Sequence, residues 1–238
     1  MKNSSADLDR FYELLGGLSA STEQGNPLAT YTGKSELPAK GVYFFQEPNE
    51  YRADGATPRI VRVGTHAVSA DSKATLWHRL RAHLGSRSGS GHHRGSVFRR
   101  HVGKAILLRD EIYLPSWGQG SVVPANVRAD TVAMTAEAAH ELKVSEYIGK
   151  MRMMWIEVSD HASTDSMRAF IEKNAIALLS NMLNPIEEAG GKWLGRHSPV
   201  EEITRSYLWN VNHVRDAYDE TFLDRLEFAV ERTLGRSG

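Results

Sequence analysis

Two runs rich in β-branched and aromatic residues, GVYFFQE at 41–47 and RIVRVGTH at 59–66, are joined by PNEYRADGATP. The connection is dense in turn-forming Pro, Asn, Asp and Gly, so the pattern predicts an antiparallel hairpin with a long loop, its second strand ending at Gly64. A lone hairpin is marginal in water and must be covered. The segment MMWIEVS at 153–159 is the candidate third strand. The other periodic stretches are helical, so the expected class is α+β: a small antiparallel three-stranded sheet flanked by helices, with added helices at both termini.

Leu8, Phe11, Tyr12 and Leu15 recur at helical spacing and open the chain with an amphipathic helix. After the hairpin, KATLWHRLRAHL sets Leu76, Trp77, Leu80 and Leu84 on one side of a helix that Gly85 stops. The next segment, GSRSGSGHHRGS, is two-thirds Gly and Ser and is expected to be mobile unless a partner orders it. VFRRHVGKAILL reads as a further helix. Residues 110–136 read as an insertion built of turns, and another helix is expected over 137–148. The clearest helix starts near Asp165 as its cap, carries Met167, Phe170, Ile171, Ala175, Leu178 and Met182 on one stripe, and is closed by Pro185. Phe222, Leu226 and Val230 mark a terminal amphipathic helix. The expected organisation is a helix and loop over 1–37, a central domain over 38–186 that contains the insertion, and a helical extension over 187–238.

The charge distribution is uneven. Residues 73–109 contain nine Lys or Arg and five His but no Asp or Glu, although the whole chain balances 29 basic against 29 acidic residues. Local field matters more than net charge for an anionic partner, so this stretch points to a nucleic acid. The absence of cysteine excludes disulfides and thiolate metal sites. No apolar run approaches membrane-spanning length, and MKNSSADLDRFYELL has acids where a signal peptide needs an apolar run. The expectation is a soluble, cytoplasmic protein without membrane contact.

On the helix after the hairpin, Arg79 and His83 stand one turn apart on a shoulder of the Leu stripe. A guanidinium held there by packing offers fixed, charge-assisted donors to a phosphate; an Arg stem covering apolar surface and a locally satisfied His is the plainer reading. Glu172 has Ala175, Ile176 and Leu179 as helical neighbours, a setting that suits a metal ligand or a base, with an ion pair to Arg168 as the structural alternative. GHHRG has poor spacing for a metal site and suits a phosphate-facing loop. WNVNH fits a packed cap or a contact surface equally well.

Taken in order, GVYFF, VRVGT, RLRAH and IEKNAIALLSNMLNP resemble the GIY-YIG nuclease family over roughly residues 38–186. Gly41, Val42 and Tyr43 match the first name motif, Val63 and Gly64 the end of the second, Arg79 and His83 the helix pair, and Glu172 the metal-binding glutamate. Asn184 stands where the family has an asparagine after that glutamate, with Asn181 as competitor. The resemblance implies a metal-dependent DNA endonuclease, a phosphodiester hydrolase serving restriction, repair or defence. In it Glu172 would hold Mg²⁺ or Mn²⁺, Tyr43 would activate or orient the attacking water, Arg79 would stabilise phosphoryl charge, His83 would bond the phosphate or nucleophile, and Asn184 or Asn181 would orient the glutamate or a flanking phosphate. Arg62 stands where the family has the second motif's tyrosine, leaving Tyr43 to act more independently or His66 to take over part of the role. Arg62, His66, Arg87, His92, His93, Arg94, Arg99 and Arg100 are the expected nucleic-acid contacts. A single centre of this kind cuts one strand, so a double-strand break would require two encounters or a homodimer. The rival expectations are a non-catalytic nucleic-acid-binding module on the same fold and an enzyme acting on a small phosphorylated ligand.

Overall fold

A computed structural model describes residues 4–21, 24–66, 72–86 and 88–235. The elements run α1 (Ser4–Ser21), β1 (Asn26–Pro27), β2 (Gly41–Tyr51), β3 (Pro58–Gly64), α2 (Leu76–Leu84), α3 (Val97–Arg109), α4 (Ala125–Ala129), α5 (Thr131–Gly149), β4 (Arg152–Glu157), α6 (Met167–Leu179), α7 (Glu201–Ser206) and α8 (Phe222–Thr233). The sheet is antiparallel throughout with order β1-β4-β2-β3. The α+β class holds, with one strand more than the three expected: β1 adds two residues to the outer edge of β4.

Period-two alternation sorts the sheet's side chains onto two faces. Tyr43, Phe45, Met153 and Trp155 pack with Leu76 and Leu80 of α2, Phe98 and Val102 of α3, and Val144 and Ile148 of α5. Val42, Phe44, Met154 and Ile156 pack with Phe11 and Leu15 of α1, Ile171 and Ala175 of α6, and Leu226 and Val230 of α8. Both terminal helices therefore belong to the second face of the central sheet. Among the described residues no helix is long and apolar enough to cross a membrane.

The hairpin departs from regular pairing in two places. β2 continues to Tyr51, which pairs with Pro58, so the connection shortens to 52–57; Pro48 and Asn49, the latter at φ 66°, occupy an irregular stretch that the ladder skips. Nearer the site, Phe45 pairs with Arg62 and Gln46 with Ile60, which leaves Val61 as an extra residue in β3. Such a bulge reverses the facing of everything beyond it. Here it turns Arg62 and Gly64 toward the Tyr43 face. The outer edge of β3 is capped rather than bare: Trp209 N donates to Val61 O at 2.7 Å, while the Asn210 amide accepts from Val63 N at 3.1 Å and donates to Val63 O at 2.9 Å. WNVNH is thus a packed cap over a strand edge.

The described part of the loop after α2 is tied to itself and to α5. Ser145 Oγ donates to Gly89 O at 2.6 Å, and Ser86 Oγ lies 2.6 Å from Ser90 Oγ. The expected insertion over 110–136 is partly helical, holding α4 and the first turn of α5, which starts six residues before the expected Glu137.

Candidate active site

Thr75 caps α2, accepting from His78 N at 3.3 Å while His78 Nδ1 accepts from Thr75 N at 3.2 Å. From that start Leu76, Leu80 and His83 form the buried stripe, so His83 lies inside the core and not on its shoulder. Gly85, at φ 88°, ends the helix where a Cβ would stand 2.4 Å from Ser90 O.

His83 is clamped at both nitrogens: Nε2 is 2.8 Å from the Tyr43 hydroxyl and Nδ1 is 2.9 Å from Ser96 Oγ. Phe98 meets its ring edge to face at 5.3 Å. Burial, with Arg62, Arg79 and Arg99 nearby, pushes the imidazole well below its ordinary 6.5, so it is neutral at pH 7. A neutral ring has one donor and one acceptor nitrogen, so it can take the phenol's proton in a hydrogen bond while donating to Ser96. Gly64 pairs with Tyr43 across the hairpin, and a Cβ there would fall 2.2 Å from the phenol oxygen. Only glycine leaves room for that hydroxyl.

Glu172 approaches from α6, where Ser166 rather than Asp165 supplies the cap, accepting from Ala169 N at 3.3 Å. Glu172 Oε1 accepts from Thr65 N, one residue past β3, at 3.2 Å. Burial raises its pKa, opposed by Arg62, the Thr65 N–H, His213 and Arg79. The intrahelical pair with Arg168 does not form, because Arg168 is turned to Asp160, which also accepts from Arg168 N at 3.0 Å. Glu172 makes no other hydrogen bond among the described residues. Arg79 is half-buried and its side chain makes neither a hydrogen bond nor an ion pair among them; its Nε is buried without a partner. Tyr43, His83, Arg62, Arg79 and Glu172 thus gather at the end of β2 and β3.

His66 lies beside this cluster. Its Nε2 donates to Ala39 O at 3.1 Å, and burial, with Arg168 nearby, lowers its pKa to about 4. The ring is neutral, and its Nδ1 lone pair has no partner among the described residues.

Several of the residues expected at the nucleic acid are paired within the fold. Arg94 makes two 2.7 Å bonds to the Glu137 carboxylate, His93 lies 2.9 Å from Glu141 and stacks on Trp117 at 3.8 Å, and Arg99 pairs with Glu141 while donating to His83 O at 2.8 Å. These pairs set His93, Arg94 and Arg99 against two acids one turn apart on α5, so three basic groups of the stretch face carboxylates inside the fold. His92 is exposed, with Nδ1 accepting from Gly95 N at 2.7 Å; Arg100 is half-buried; Arg87 lies outside the described residues. Asn181 is also committed, its Oδ1 accepting from Ile186 N at 2.7 Å and Glu187 N at 3.0 Å, and with Asn184 it lines a crevice beside Tyr12 and Arg59. Neither asparagine bonds to Glu172.

Asn210, His213 and Ser96 are the neighbours that sequence reasoning did not assign. WNVNH held two of them, but only the tertiary fold brings that segment to β3. A groove of about 1330 Å³, bordered by Trp77, Arg81, Leu142 and Ser145, has none of Tyr43, Arg79, His83 or Glu172 in its lining.

Hard, oxygen-only coordination suits what Glu172 offers. Among the described residues no three His, Cys, Asp or Glu gather around one point; the Glu172 carboxylate is a hard oxygen donor of the kind Mg²⁺ or Mn²⁺ accepts.

A family model described as GIY-YIG domain matches residues 2–236, taking in the terminal segments that lie outside the sequence motifs. No curated protein and no solved structure matches the chain.

Proposed function

The chain belongs to the GIY-YIG family, and from that premise we propose that it is an endonuclease hydrolysing DNA phosphodiester bonds with a divalent metal. The observation that carries this reading is the convergence of a phenol, a guanidinium and a carboxylate, from β2, α2 and α6, at one end of the sheet. Glu172 would hold Mg²⁺ or Mn²⁺. The bound ion would supply Lewis-acid stabilisation of charge on the scissile phosphate and the departing sugar oxygen.

The chain's own groups do the rest. Tyr43 donates a hydrogen bond to His83 Nε2 and orients the attacking water with its free lone pairs; as the water attacks, its proton passes to the phenol oxygen while the phenol's own proton passes to His83 Nε2. Ser96 fixes the ring from behind and sets which nitrogen faces the phenol. Arg79, with no internal partner to release, offers its donors to the phosphoryl oxygens as negative charge builds on them. This helps the rate only because that interaction strengthens in the transition state.

Supercoiled plasmid incubated with Mg²⁺ or Mn²⁺ should be nicked, and EDTA should stop the reaction. A second reading, a DNA-binding module without cleavage, rests on Arg62 in the place of the second motif's tyrosine. It predicts binding but no nicking with either metal.

A further inference from the structure

The groove beside Trp77 takes its walls from α2, from α5 and from the loop that carries Gly33. Ala82, in its lining, follows Arg79 by three residues. Side chains so spaced on a helix stand about 5–6 Å apart, so the groove opens next to the arginine proposed to meet the scissile phosphate. Trp77 is half-buried, and its indole N–H makes no hydrogen bond among the described residues and is not sealed from solvent. A Cβ at Gly33 would stand 3.2 Å from that nitrogen, so the glycine leaves this edge of the indole uncovered. Leu142, 48% exposed, adds an apolar wall.

The polar groups of the groove are cations and donors. Lys34 and Arg81 are exposed, and neither side chain has a hydrogen bond or an ion pair among the described residues. Arg81 stands one turn after Trp77 on the same row of α2. His78 accepts from Thr75 N at Nδ1, which puts its proton on Nε2 as a donor. Glu146, the acid among the described lining residues, is paired with Lys150 at 2.6 Å. Free cations beside an uncovered indole suit a flat heterocycle that carries phosphate.

We propose that this groove takes an unpaired nucleotide next to the scissile bond, its base against Trp77 and Leu142 and its phosphate on Arg81 and Lys34, so that the preferred substrate is DNA with a single-stranded segment at the cut. The proposal rests on the phosphodiester reading for the strand at Arg79. A base inside a duplex is paired and stacked on both faces, so it reaches such a groove only after leaving the stack.

Fluorescence anisotropy of labelled DNA in EDTA compares a blunt duplex with the same duplex carrying an oligothymidylate tail. Tailed DNA should bind about tenfold or more tighter, the order expected for one stacked base. Trp77→Ala, and separately Lys34→Gln with Arg81→Gln, should erase that preference and leave blunt-duplex affinity unchanged. The exposed cations decide the matter if Trp77→Ala fails to fold. Equal affinity of the wild type for both DNAs, or an equal loss on both in the variants, overturns the proposal. So does a deoxynucleoside monophosphate that competes with tailed DNA as well as free oligothymidylate does, since the groove would then be a small-molecule site. A preference lost in the variants, with no plasmid nicking in either metal, keeps the groove as a nucleotide site and discards the nuclease reading. Nicking by a protein that shows no preference does the reverse.

Discussion

The phenol of Tyr43 and the imidazole of His83 lie 2.8 Å apart, both wholly buried, with the ring held neutral and braced by Ser96 on its far side. The neutral imidazole therefore offers the phenol's proton a fixed acceptor. Tyr43→Phe should slow single-turnover cleavage by about 10²–10⁴-fold, the range for a lost proton-transfer group. It should destabilise the fold by only about 1–3 kcal/mol through the stranded imidazole nitrogen. Unchanged cleavage in a folded variant would remove the phenol from the chemistry.

Glu141 is the keystone of the α3–α5 interface, since it accepts from both Arg99 and His93. Burial would raise its pKa, but those two partners bring it down to about 2. Glu141→Ala strands a fully buried guanidinium and should cost about 3–5 kcal/mol in urea unfolding. Arg94→Ala breaks the Glu137 pair in the same interface. It should lower stability while leaving the salt dependence of DNA affinity unchanged, because a cation already paired releases no counterion. A flatter salt slope would put Arg94 on the DNA.

Glu47, on the central strand, has its carboxylate bonded by Trp193 Nε1 at 3.1 Å, Trp209 Nε1 at 3.2 Å and the Tyr147 hydroxyl. Burial lifts its pKa from 4.5 to about 7 despite those donors. The folded state then holds this proton more tightly than the unfolded chain. Its contribution to stability is complete below about pH 4.5 and is lost as pH rises to about 7. Glu47→Gln stays neutral throughout, so the stability difference between about pH 5 and pH 8 should shrink by on the order of 2 kcal/mol. Identical pH profiles for variant and wild type in chemical denaturation would contradict this.

The elements were legible where a local period writes them. The hairpin, α2, α3 and α6 follow from runs of apolar residues and their stops, and the match of Tyr43, Gly64, Arg79, His83 and Glu172 to one family needed only their order. Two things escaped. The extra residue at Val61 leaves no mark in composition, yet it decides which way Arg62 points. The partners of the basic stretch stand more than forty positions away on α5, so charge segregation along the chain said nothing of pairing in space. Asn181 and Asn184 had suitable spacing after Glu172, but the chain leaves α6 at Ser180 and folds their region against Tyr12 and Arg59.

Cleavage and binding by Glu172→Ala, measured on the same DNA with Mg²⁺ present, test the central claim most directly. The carboxylate is the group expected to hold the metal, and removing it also removes a negative charge beside the phosphate. Cleavage should vanish while DNA affinity holds or tightens in a protein that still unfolds cooperatively. Wild-type cleavage by this variant would contradict the proposed site.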